Sequence, residues 1–440
     1  MVAPADRATP DPRADDDHAG DRGGEPAADP HLAERVDLLA RLSRSQLAAG
    51  ATMDSLASRR QAMRLADAGG RNDLLIHAII SRDLPTPWMT RPYGSVDLEL
   101  IGLIENALAS TDPVPDRPTR CRLLYSLIIE VADRERSARL AGEAERLARE
   151  IGDPVLIGLI LHGWVSSVDA EVEGERVTAV GHELVDIGGR PGLAVFAVIG
   201  HHSLARVACM HGDAAAMTAH VERISELVRR FRWSQTAALE AMMRGTIAHL
   251  TGRLTDAEAD YRTATERLMA SGAFDASGIG LLALLTVRVT EHRTGELVEV
   301  LGQIDTDADA LVQDLRAVPL LAVGRRDEAA RGRHDLPPVP HNFFRSLLLT
   351  FRGMAAAGLQ DPVEAASVER ELRAYRGQIG GGGTGSFVIG PVDTVLGDLA
   401  ALLGRPDEAG DLYRAAVELA ERGPNRWWAD QARGRLAAMG

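Results

Sequence analysis

Val392–Arg422 reads VDTVLGDLAALLGRPDEAGDLYRAAVELAER, and this stretch decides the fold. Two apolar-periodic segments flank a break at Gly404-Arg405-Pro406, where glycine can end one helix and proline can open the next. Before the break come Leu396, Gly397 and Ala400; after it come Ala409, Tyr413 and Ala416, at i, i+4 and i+7. Small residues on facing sides let two antiparallel helices approach closely, and Tyr413 is placed to fill the groove towards the next pair. The same arrangement recurs around Gly252-Arg253, with Gly245, Ala248, Ala257, Tyr261 and Ala264. A third break, Gly324-Arg325-Arg326-Asp327-Glu328-Ala329, repeats the wording of Gly404-Arg405-Pro406-Asp407-Glu408-Ala409.

Recurrence of one hairpin at several places marks a repeat architecture. Further breaks at Gly50, Gly69-Gly70, Gly152-Asp153-Pro154 and Gly212-Asp213 separate amphipathic segments, and no stretch reads as a strand. Short β-branched runs such as Val195–Ile199 lie inside longer helical periods. The expectation is an all-α chain: a tetratricopeptide-like α-solenoid of antiparallel helical hairpins, in a right-handed superhelix over residues 31–440. Residues 1–30 carry eight acidic residues against Arg7, Arg13 and Arg22, with scattered Pro and Gly and almost no large apolar side chain. That composition cannot bury enough surface to offset its ordering entropy, so a disordered acidic tail is expected.

Composition narrows the chemistry. Apolar residues make up 45% of the chain but aromatics only 4%, so the core is built from Ala, Leu and Val, a helix-forming palette. All 49 basic residues are arginine, which closes every mechanism that needs a lysine, including the phosphate-loop lysine and Schiff-base nucleophiles. The net charge of −14 suits a nucleic-acid backbone poorly, so no nucleic-acid partner is expected. Cys121 and Cys209 sit in apolar helical runs and read as buried free thiols. An acidic start unlike a signal peptide, and the lack of any apolar run near membrane-spanning length, give an expected cytoplasmic protein with no membrane partner.

The paired turns resemble tetratricopeptide repeats in their order of glycine, alanine, tyrosine and alanine. Beyond the repeat, the chain from Asp37 to Met439 resembles the C-terminal helical region of actinobacterial LuxR-type and antibiotic-regulatory ATPase activators. The stretches that carry this are RPYGSVDLELIGLIENALAS (91–110), AERLAREIGDPVLIGLILHG (144–163), Gly390–Gly423 and RWWADQARGRLAAMG (426–440). In those regulators this region follows an ATPase module and is thought to sense ligands or partners. A glycine-rich phosphate loop ending in lysine is missing here, so the resemblance implies a sensor or interaction region without ATP hydrolysis or DNA binding.

Gly380–Gly385 (GGGGTG) satisfies the dinucleotide pattern letter for letter, but a helical segment precedes it instead of a strand, and it reads as a flexible loop between hairpins. Among 13 histidines no H-E-x-x-H occurs, and His211 and His220 are off a shared helix face, so no metal site is expected. Ser203 lies in GHHSLA, outside any nucleophile elbow. No catalytic residue and no cofactor are expected. Trp164, Trp233, Trp427 and Trp428 fall in apolar periods and read as packing between hairpins. Trp88 and Tyr93, in the proline-broken LPTPWMTRPYG, either cap a hairpin groove or are loop contacts to a ligand.

Aligning the repeats places His202, Arg206 and Cys209 from one hairpin, and Met242, Thr246 and His249 from the next, on the concave wall. A guanidinium, imidazoles and a thioether there could hold a peptide or a small anionic ligand; the ordinary alternative is that these side chains fill a tight superhelix interior. The expected function is a non-catalytic interaction or ligand-sensing protein, regulatory in character. Alternatives are a structural adaptor without ligand and an enzyme using the groove.

Overall fold

The computed structural model describes residues 29–81, 85–86, 96–231, 233–273, 275–304, 311–331, 333 and 336–439. Trp88, Tyr93 and all but the last two residues of the acidic segment lie outside them. The chain is all-helical, with 77% helix in 21 α-helices among the described residues. The sole pairing of β type described is an isolated bridge between Ile379 and Pro391.

Local chemistry explains the hairpins. At the three repeated breaks the glycine takes a left-handed conformation, with φ of 71° at Gly252, 77° at Gly324 and 76° at Gly404. The amide one residue on then reaches back five residues: Arg253 to the Ala248 carbonyl, Arg325 to Leu320 and Arg405 to Ala400, at 2.8–2.9 Å. This six-to-one closure satisfies carbonyls that the helix end would leave bare. Gly152-Asp153-Pro154 works similarly, Gly152 ending one helix while Asp153 caps the next by accepting from the Val155 amide at 2.8 Å.

Within each hairpin the small residues do what their spacing implies. A Cβ on Gly397 would lie 2.4 Å from the Tyr413 ring, and one on Gly245 would lie 2.6 Å from Tyr261. Helix pairs Leu32–Ala48 with Thr52–Ala68, Gly174–Gly188 with Ala194–Met210, Ser234–Leu250 with Leu254–Ala270, and Val392–Leu402 with Pro406–Arg422 pack side by side. The copy headed by Gly324 differs: its second helix is only Arg326–Ala330, and the chain beyond runs into the prolines Pro337, Pro338 and Pro340. Proline lacks the amide and blocks helix continuation.

The stack does not remain an open channel. Its C-terminal hairpin returns to the middle of the chain, where Asn425 Nδ2 donates to the His249 carbonyl at 2.7 Å and Trp428 Nε1 donates to Thr290 Oγ1 at 3.0 Å. One apolar cluster accordingly joins Val198, Cys209 and Met243 to Ile379, Leu419 and Trp428. Trp164 and Trp428 are buried as expected. Trp233 is part-buried and stacks on Phe231 at 4.8 Å. Trp427 is 36% exposed and departs from the packing role read for it, because it stands in the first turn of helix Arg426–Ala437, where its neighbour Trp428 takes the inward face.

Candidate functional site

A cavity of about 990 Å³ lies inside the coil. Helices Arg117–Glu130, Pro154–Ser167 and Ala194–Met210 supply one side of its wall; Phe343, Phe344 and the segment Thr384–Phe387 supply another. Exposed Asp133, Ser166 and His341 stand on the lining, so the cavity opens to solvent there.

The segment Ile379–Pro391 makes this cavity possible, and it is the main correction to the sequence reading. Gly380–Gly385 is buried throughout instead of looping flexibly between hairpins. The Ile379 amide donates to the Met210 carbonyl at 2.8 Å, and Gly380 exchanges hydrogen bonds with Gly390 and Ile389 at 2.9 and 3.0 Å. Glycine is needed here for close approach: a Cβ on Gly382 would stand 2.6 Å from Met210 Cα, a clash with backbone that no rotamer relieves.

Polar side chains from the break after helix Pro154–Ser167 and from helix Arg345–Leu359 anchor the segment. Glu171 accepts from Ser346 Oγ at 2.5 Å and from the Gly383 amide at 3.0 Å. The Gln378 side-chain amide donates to the Glu171 carbonyl at 2.8 Å, and Tyr375 donates to Asp169 at 2.6 Å. Burial, with the adjacent Asp169 charge, raises the Glu171 carboxyl to about 8, so it is held largely protonated at neutral pH. Arg206 donates from Nε to the Gly383 carbonyl and from Nη1 to the Val165 carbonyl, the latter at 3.2 Å.

Two of the residues read as groove-lining, His202 and Arg206, do line the cavity. His202 is driven to about 3, first by burial and then by the neighbouring guanidinium, and is neutral near pH 7. The others are corrected. Met242, Thr246 and His249 are 0% exposed and form core between hairpins, as does Cys209. Thr246 bonds to the Met242 carbonyl and sits 3.2 Å from the Tyr261 hydroxyl. His249 meets Thr290 at 2.8 Å and lies against the Trp428 ring. The inner wall there is covered by the chain's own later segments, which alignment of neighbouring repeats cannot reveal.

Several wall residues escaped the sequence reading. The Tyr125 hydroxyl and His162 Nδ1 are 3.0 Å apart, and His162 Nε2 is 3.0 Å from the Thr86 carbonyl; burial lowers His162 to about 4. Arg59 and Glu130 face each other at 3.6 Å with both side chains buried. The usable signal was Glu130 closing the apolar run LLYSLIIE, since a charge in such a run needs a buried partner. Arg59 Nε, Ser137 Oγ and His202 Nε2 have no hydrogen-bond partner among the described residues.

No protein-family profile matches the chain, and no curated protein matches it. Among solved structures, a circular tandem repeat protein with novel repeat topology and enhanced subunit contact surfaces aligns over 92% of this chain and 96% of its own at 14% identity. The TM-score of 0.13 is too low for that alignment to bear on fold or function. The helical-repeat architecture rests on this chain's own hairpins. Among the described residues no helix is long and apolar enough to cross a membrane, and no group of three or more potential metal ligands comes together.

Proposed function

We propose that this chain is a non-catalytic, ligand-sensing helical-repeat protein that takes a small molecule into its internal cavity. The observation that carries this reading is the cavity itself: about 990 Å³, at the upper end of the ordinary range for small-molecule sites, with aromatic faces and a few inward polar groups. Burial of Met242, Thr246 and His249 argues against a long peptide laid along the central hairpins, since that path is already occupied by Ile379–Pro391 and the C-terminal hairpin. A regulatory role extends the resemblance to the helical regions of large transcriptional activators, with a protein partner reading the ligand state from the outer face. The absence of catalysis in this reading is supported by the engagement of two wall groups, His162 between Tyr125 and Thr86 and Arg59 against Glu130. His202, with Nε2 unpartnered among the described residues, is read as a neutral polar contact for the ligand.

Ser166 offers a clean test, because it lines the cavity while remaining exposed. Purified chain is incubated with a small-molecule extract of its native cells, desalted and denatured, and released compounds are identified by mass spectrometry. Wild type should retain a compound that Ser166→Trp, with an unchanged melting temperature, does not. Equal retention by both proteins, or none by wild type, contradicts the proposal.

A further inference from the structure

The three arginines of the cavity wall are not equivalent. Arg59 faces Glu130 at 3.6 Å and Arg134 faces Glu173 at 3.4 Å. Arg206 is only 6% exposed, yet no carboxylate lies within ion-pair distance of it among the described residues. Its Nε and Nη1 are taken by two backbone carbonyls, and Nη2 makes no hydrogen bond to a described residue. Asp169 and Glu171 stand nearby but are not on the cavity lining, and both are engaged, by Tyr375 and by Ser346 with Gly383.

Burial disfavours the Arg206 charge, and Asp169 and Glu171 offset this only in part from beyond ion-pair distance, so a closer counter-charge would be favoured. The remaining nitrogen, Nη2, can donate a charge-assisted hydrogen bond to one carboxylate oxygen, and low local polarity strengthens such a contact. The rest of the lining is of another kind: Tyr125, Leu239, Ile279, Phe343, Phe344 and Phe387 present apolar and aromatic surface. A cavity this large is poorly matched to an inorganic ion alone.

Building on the proposed cavity function, we infer that the site takes an amphipathic organic anion. Its carboxylate sits on Arg206 and its aromatic or aliphatic body lies against Tyr125, Phe344 and Phe387. Arg206 thereby becomes both the selector for charge and the link to the buried segment, since the same guanidinium holds the Gly383 and Val165 carbonyls. Ligand charge and the seating of Gly380–Gly385 are coupled through one side chain.

The test uses the full chain and two probes of one shape, 2-naphthoate and its neutral amide 2-naphthamide, titrated by calorimetry near neutral pH and low salt. Wild type should bind the carboxylate about tenfold or more tightly than the amide, the scale of one charge-assisted contact. Arg206→Gln should bring the ratio close to one, Arg206→Lys should restore part of it, and Ser166→Trp should bind neither probe. Equal affinity for both probes in wild type overturns the anion inference while leaving the cavity as a binding site. Failure of wild type to bind either probe at millimolar concentration, or binding unaffected by Ser166→Trp, contradicts the cavity function itself. Should Arg206→Gln melt too low to titrate, the wild-type ratio alone decides.

Discussion

The Glu171 carboxyl accepts a hydrogen bond from the Gly383 amide at 3.0 Å, joining positions 212 residues apart in the chain. Glu171 lies in the break after helix Pro154–Ser167, and Gly383 lies in the glycine run that fills the interior. Through this contact the coil is closed on itself, and the space left over becomes the cavity.

Close packing of that run gives the first prediction. Gly382→Ala should lower stability by about 1–3 kcal/mol, as overpacking against an immovable backbone does. Gly142 is the matched control: exposed in helix Arg134–Ile151, with nothing within 4 Å of an added Cβ. Gly142→Ala should stabilise by about 0.5–1 kcal/mol through helix propensity. Urea unfolding of both variants reads the two signs, and equal shifts would contradict the buried placement of Gly382.

The dependence on pH follows from two opposed groups. Glu171 is raised to about 8 from 4.5, so the folded state binds its proton more tightly than the unfolded state. Its contribution is full below about 4.5 and is lost as pH rises towards 8. Burial depresses His162 and His201 to about 4 and His202 and His249 to about 3, so their contribution is lost as pH falls below 6.5. Four histidines outweigh one carboxyl on the acid side, and the two opposing terms balance near neutrality, so stability should peak at about pH 7. From there to pH 8 the Glu171 loss is about 1 kcal/mol for one linked proton, partly offset by the last of the histidine gain. Glu171→Gln should remove that alkaline decline in urea midpoints and steepen the rise on the acid side above about pH 4.5.

Thr290 supplies a third prediction. Its hydroxyl lies 2.8 Å from His249 Nε2 and accepts from Trp428 Nε1 at 3.0 Å, tying the C-terminal hairpin to two central helices. Thr290→Val keeps the shape but strands two buried polar atoms, at a cost of about 2–4 kcal/mol. Thr263 is exposed and bonds only to its own helix, at the Ala259 carbonyl, so Thr263→Val should stay within about 0.5 kcal/mol. Thermal denaturation of both variants distinguishes these outcomes.

What could be read beforehand was what is local. The glycine turns at 252, 324 and 404, and the Gly397–Tyr413 contact, depend on residues within one hairpin and follow from spacing. His202 and Arg206 were legible as inward-facing because neighbouring repeats set their register. Met242, Thr246 and His249 have the same register, yet they are core, because Trp428 and other late residues return over that part of the coil. Gly380–Gly385 misled for a related reason. Consecutive glycines serve a flexible loop and a tightly buried backbone equally well, and only the partners Met210 and Glu171 distinguish the two. Asp169, Glu171 and Ser346 carried no local signal, since their roles come from contacts far along the chain.

The cavity depends on the segment Ile379–Pro391 being an integral part of its wall, and native-state hydrogen exchange measures this directly. The amides of Gly381, Gly383 and Ile389, bonded to Ser346, Glu171 and Gly380, should exchange only through global unfolding, with protection equal to that of helix Ala194–Met210. Exchange of these amides within seconds, while that helix stays protected, would mean that the segment does not fill the coil and that the cavity has no such wall.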